Sequence, residues 1–121
     1  MRPIIFILSS LLVLITSSCV QKIHKRTVVF TLDVYGIKNI KKVGIRGWDA
    51  PLSWDNDYLM KEIVKDSLYQ VTITGETGRL CSEIKFTIND KLELDEKENR
   101  KIYFKDKDTL LYNAKYNIVK N

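Results

Sequence analysis

Apolar residues recur at every second position along most of this chain, and that period of two is what most narrows its possible folds. Val28, Phe30, Leu32 and Val34 alternate with Val29, Thr31 and Asp33 until Gly36 ends the run. Lys42 to Arg46 repeats the pattern, as does Leu68 to Thr74, where Tyr69, Val71 and Ile73 oppose Gln70 and Thr72. Cys81 begins a further run in which Ile84, Phe86 and Ile88 alternate with Glu83, Lys85 and Thr87. Such alternation is the mark of strands with one face buried and one face wet. Asn89-Asp90 carries hairpin chemistry and leads into Lys91 to Leu94, and Lys101 to Phe104 and Thr109 to Tyr116 close the chain as short strands. The segment Tyr58 to Val64 is less regular, and Leu59, Met60, Ile63 and Val64 fit a short helical turn as well as a strand.

About seven to eight short strands, separated by turn signals every 8–12 residues or so, predict an all-β immunoglobulin-like antiparallel β-sandwich, with a small barrel as the alternative. About 95 residues follow Arg26, enough for one domain that buries roughly 60–65% of its unfolded surface. The domain assignment is therefore 27–121.

The N-terminal stretch reads differently. Arg2 precedes an apolar run from Ile4 to Ile15, then Thr16-Ser17-Ser18-Cys19. The run is shorter than the roughly 20 residues a membrane span needs and has the shape of an export signal. A cysteine directly after small residues resembles the bacterial lipoprotein signal, which makes 1–18 the signal peptide, Cys19 the acylated residue and 19–26 a tether. Acyl chains contribute about 0.8 kcal/mol per buried CH₂, so such a chain is anchored to a membrane without spanning it. Lys22, His24, Lys25 and Arg26 in the tether suit an anionic lipid surface and equally a plain solvated linker.

Composition excludes much. The formal charge is +5, but lysines and arginines are dispersed among acids and do not interleave with aromatics on one face, so no nucleic-acid partner is expected. The single histidine, His24, lies in the tether, and the chain has no phosphate loop, nucleophile elbow or metal-ligand spacing. No enzymatic activity, cofactor or metal is therefore expected. Asp55-Asn56-Asp57 lacks the glycine and distal glutamate of an EF-hand loop and reads as a turn, and Asp95, Glu96 and Glu98 read as solvated acids. With Cys19 acylated, Cys81 has no disulfide partner and is expected to be a small buried apolar residue.

Both tryptophans fall in one loop, Gly47-Trp48-Asp49-Ala50-Pro51-Leu52-Ser53-Trp54. A sugar ring offers an apolar C–H face and a hydroxyl rim, so a carbohydrate site needs an aromatic face with amide or charged groups beside it. Trp48 and Trp54 supply the first requirement, Lys85 and Asn99 the second. Either indole also suits the core, Trp54 more than Trp48.

The order Val43-Gly44-Ile45-Arg46-Gly47, Pro51-Leu52-Ser53-Trp54-Asp55, Leu68-Tyr69-Gln70-Val71-Thr72-Ile73, Glu83-Ile84-Lys85-Phe86 and Glu98-Asn99-Arg100 resembles the starch-binding carbohydrate-binding modules (family 20-like) of amylases and glucoamylases. The resemblance covers nearly the whole of 27–121 and implies an immunoglobulin-like sandwich. It matches Trp54 to a platform tryptophan, Lys85 to a hydrogen-bonding lysine and Asn99 to the polar residue before arginine. Leu92 or Leu94 stands where the family has its second platform tryptophan, and Ile84 where it has tyrosine. Two functions follow as expectations: weak α-glucan binding by a non-catalytic lipoprotein of the cell envelope, serving a glycan or a partner envelope enzyme, or an interaction module that kept the fold and lost the sugar site. The outer membrane of a Gram-negative bacterium is the expected location, on either face.

Overall fold

The computed structural model describes residues 23–104 and 109–119. The signal peptide 1–18 and the lipidation residue Cys19 lie outside the described residues. Among those described there is no helix, and nine strands form two sheets: β1 (His24–Asp33), β2 (Val43–Gly47), β3 (Tyr58–Leu59), β4 (Lys61–Val64), β5 (Leu68–Thr77), β6 (Cys81–Ile88), β7 (Lys91–Leu92), β8 (Arg100–Tyr103) and β9 (Thr109–Lys115). The first sheet runs β4-β5-β1-β9, and the second runs β3-β2-β6-β7 with β8 also paired to β6.

The alternation behaves as read. Val28, Phe30 and Leu32 of β1 turn inward against Ile84, Phe86 and Ile88 of β6, joined by Val43 and Ile45. Phe30 and Phe86 meet edge to face across the two sheets, with ring centroids 6.1 Å apart. Asn89 and Asp90 both have positive φ, 51° and 69°, as a two-residue hairpin between β6 and β7 demands.

Four expectations need correction. The arrangement is not purely antiparallel, because β9 lies parallel to β1 from Thr27↔Thr109 to Asp33↔Lys115. β1 begins at His24, three residues into the expected tether, where His24, Lys25 and Arg26 pair with Thr77, Glu76 and Gly75. Their side chains flank the core rather than enter it, so no apolar period announces them. The ambiguous segment 58–64 is strand: Tyr58 pairs in the second sheet, Met60 turns inward, and Lys61 begins pairing in the first. Cys81 is half-buried, because it starts a strand at the rim opposite Tyr103.

One polar pair sits inside. Glu93 is fully buried and Arg100 nearly so, joined by two hydrogen bonds of 2.6 and 2.7 Å. Glu93 also accepts from the backbone N–H groups of Phe86 and Asn117, and Arg100 donates to the carbonyls of Lys115 and Ile118. Burial alone would lower the Arg100 pKa, but its bonds to Glu93 leave it above the ordinary arginine value. The pair ties the segment between β7 and β8 to the end of the chain.

Candidate functional site

Alternation sends Gly44 and Arg46 of β2 and Glu83, Lys85 and Thr87 of β6 to the outer face of the second sheet. Arg46 lies directly opposite Lys85 in the ladder. Two cations so placed repel unless each is neutralised. Arg46 donates to Asp57 at 2.7 Å and reaches the Trp54 carbonyl at 3.4 Å. The Lys85 ammonium donates to the carbonyls of Leu94 and Lys97 at 3.0 and 2.9 Å. Two of its three N–H donors are thus committed to the segment that follows β7, and the residue is buried.

Trp48 carries β2 one rung further, its N–H donating to the Glu83 carbonyl. Its ring is 46% exposed, and the Arg79 guanidinium lies over it at 5.0 Å from the centroid. Asn99 donates to the Glu83 carboxylate at 3.1 Å. Trp54 is half-buried beside Arg46. Trp48, Lys85 and Asn99 are therefore gathered around Glu83 on one sheet face, with Arg46, Asp57 and Arg79 beside them, and Trp54 meets this group through its backbone carbonyl. Of the residues around them, Arg46 and Glu83 stand in motifs quoted for the resemblance and Asp57 in the acidic turn, while Arg79 stands in none. The in-phase positions Arg46, Lys85 and Glu83, two apart on neighbouring strands, were the available signal.

Where the starch-binding modules that the sequence resembles carry a second indole, Leu92 is 37% exposed and Leu94 is buried, with a backbone φ of 52°. Left-handed backbone at a leucine costs about 1–2 kcal/mol. Asn117 helps hold it, its side-chain oxygen accepting from the Leu94 N–H at 2.8 Å. Neither leucine offers a flat face for stacking.

Two glycines set the tryptophan loop in place. A Cβ on Gly75 of β5 would lie 2.5 Å from the Ala50 carbonyl oxygen, and one on Gly47 would lie 2.8 Å from the Glu83 carbonyl oxygen. The loop thus crosses from the second sheet onto the first at the end where β1 begins, with Leu52 buried beneath it. Gly75→Ala is expected to push the loop outward at a cost of about 1–3 kcal/mol, the usual range for overpacking against backbone. Urea denaturation followed by tryptophan emission checks this: unchanged stability and an unchanged spectrum would mean that the loop does not rest on β5.

Gly44 makes room for another feature. Its missing Cβ leaves space for the Asp57 carboxyl and the Thr87 hydroxyl, each 2.8 Å from where that carbon would be. Asp57 Oδ2 and Thr87 Oγ1 are buried with no hydrogen-bond partner among the described residues. No cluster of metal-ligating side chains occurs among the described residues either. Chemically, the face offers one half-capped indole with carboxylate and amide groups beside it. No protein family and no curated protein matches the chain.

Proposed function

We propose that this chain is a non-catalytic, lipid-anchored protein of the bacterial cell envelope whose immunoglobulin-like sandwich holds a glycan weakly on the outer face of its second sheet. The observation that supports the reading is the meeting of Trp48, Lys85 and Asn99 around Glu83 on one face, with the Trp54 backbone reached through Arg46. An indole supplies the apolar platform, while the Asn99 carbonyl and Glu83 carboxylate accept from sugar hydroxyls. An α-glucan is the ligand that the resemblance to starch-binding modules favours. Acylation of Cys19 supplies the membrane anchor, and the glycan or a partner envelope enzyme is what the domain engages there. The outer membrane of a Gram-negative bacterium is the proposed location.

Binding should be weak. With Leu94 buried in place of a second platform, an affinity in the millimolar to high micromolar range is expected, roughly −4 to −6 kcal/mol. Truncating an aromatic anchor typically costs upwards of about 2 kcal/mol, or thirtyfold or so. Titration with maltoheptaose or β-cyclodextrin, read by tryptophan emission, should saturate for the wild type and fail for Trp48→Ala. Absence of a saturable change at any soluble sugar concentration removes the glycan reading. The interaction-module reading then stands, and one observation already favours it: Lys85 is committed to Leu94 and Lys97, and Arg79 covers one face of Trp48.

A further inference from the structure

The end of the fold where β1 begins is built unlike an ordinary solvated rim. Ile23 immediately precedes β1 and is 67% exposed, and Leu80, at the crossover from β5 to β6, is 82% exposed. Tyr103, paired with Cys81 next to Leu80, is 58% exposed. The Phe104 N–H donates to the Leu80 carbonyl, which fixes Leu80 beside the end of β8. Trp48 adjoins it through Arg79. Behind the surface, an apolar cavity of about 40 Å³ lies between the sheets, lined by Phe30, Leu52, Ile73, Ile84, Ile102 and Phe104 among others.

Cations at this end stand exposed beside acids that are already engaged. Lys25, Arg79 and Lys101 are exposed, as is His24. Glu76 opposes Lys25 in the ladder, Asp49 lies 3.8 Å from Arg79, and Glu83 is engaged by Asn99. Exposed leucine, isoleucine and tyrosine ringed by lysine and arginine make the side-chain set that settles at a membrane interface, apolar groups at the acyl boundary and cations on anionic headgroups. The chain outside the structure points to the same occupant. Only three residues separate Cys19 from Ile23, so a chain acylated at Cys19 brings this end, and no other, to the bilayer. Four Cα steps of at most about 3.6 Å each keep Ile23 within about 14 Å of the acylated residue, so this end stays next to the headgroup layer.

We infer that the Ile23, Leu80 and Tyr103 end of the domain lies on an anionic lipid surface, with Lys25, Arg79 and Lys101 on headgroup phosphates. This contact orients the outer face of the second sheet sideways along the membrane. It draws on the anchor reading for the nearness of lipid, and on the exposed side chains for the contact itself.

The full-length chain reconstituted in phosphatidylcholine and phosphatidylglycerol vesicles tests the inference, with lipids brominated near the headgroup as quenchers. In a Trp54→Phe protein, Trp48 emission should be quenched, and Leu80→Asp with Tyr103→Asp should reduce the quenching several-fold while flotation with the vesicles persists. Loss of phosphatidylglycerol should weaken it as well. Circular dichroism confirms that the variants fold, and Leu80→Ser with Tyr103→Ser replaces the aspartate pair if they do not. Flotation with no quenching of Trp48, or quenching indifferent to these substitutions, overturns the lipid contact and leaves the anchor. Wild-type protein that carries no acyl label yet is quenched overturns the anchor and leaves the contact. A shift in sedimentation coefficient caused by Leu80→Asp without lipid marks the end as a self-association surface and overturns the inference.

Discussion

Arg100→Met is expected to cost about 3–5 kcal/mol of stability, because it leaves the Glu93 carboxylate buried without its counter-charge. A domain of this size holds about 5–15 kcal/mol in all, so the variant should sit near the edge of folding, with its melting temperature lowered by about 4–8 °C for each kcal/mol lost. The cost falls on more than the pair. Arg100 donates to the Lys115 and Ile118 carbonyls and lies over the Phe86 ring at 5.4 Å, and Glu93 accepts from two backbone N–H groups. The double variant Glu93→Leu, Arg100→Met discriminates between charge and scaffold. A hydrophobic replacement of a buried pair is often neutral or stabilising by about 1–4 kcal/mol. Here recovery should be partial, since the N–H groups of Phe86 and Asn117 lose their acceptor. Guanidinium denaturation of the three proteins gives the comparison, and a loss under about 1 kcal/mol for Arg100→Met, the range of an exposed pair, would refute the scaffold role. Hydrogen exchange at the Leu94 amide should accelerate in the same variant, because the segment supplying the Lys85 acceptors hangs from Glu93.

That pair also shows where sequence reading reaches its limit. Arg100 and Ile102 of β8 and Phe104 just beyond it are in phase, so the same alternation that located the core aimed Arg100 into it. Charged residues are almost never fully buried unless paired, and the partner, seven positions back across an irregular segment, has no fixed spacing to reveal it. The strands themselves were legible because one face of each is apolar. The parallel pairing of β9 with β1 was not: an alternating run looks the same whichever neighbour it takes and in whichever direction. At the candidate site, residue types were legible and their engagements were not. Lys85 is in the outward phase, yet the following segment folds over it and uses its donors. Asp57, read as part of a turn, became the partner that permits Arg46 and Lys85 to stand opposite one another.

Phe30→Ala should be the most damaging substitution in the apolar core, at about 3–5 kcal/mol. Phe30 is 2% exposed and belongs to both halves of the packing: it meets Phe86 across the sheets and Tyr112 of the parallel strand β9 at 5.8 Å between centroids. Edge-to-face pairs of this kind contribute about 0.5–1.5 kcal/mol beyond area burial. The site is also poorly able to collapse, because Phe30 already borders the cavity beneath the tryptophan loop and its removal enlarges that space. Cavity terms grow with the void left behind, which places the expected loss in the upper part of the range. Phe30→Leu, which keeps most of the volume, should lose roughly half as much. Val29→Thr, on the outer face of the same strand, should stay within about 0.5 kcal/mol. If Phe30→Ala and Val29→Thr prove equally mild in thermal unfolding, the two sheets do not meet at Phe30 and the packing described for this sandwich-like fold is wrong.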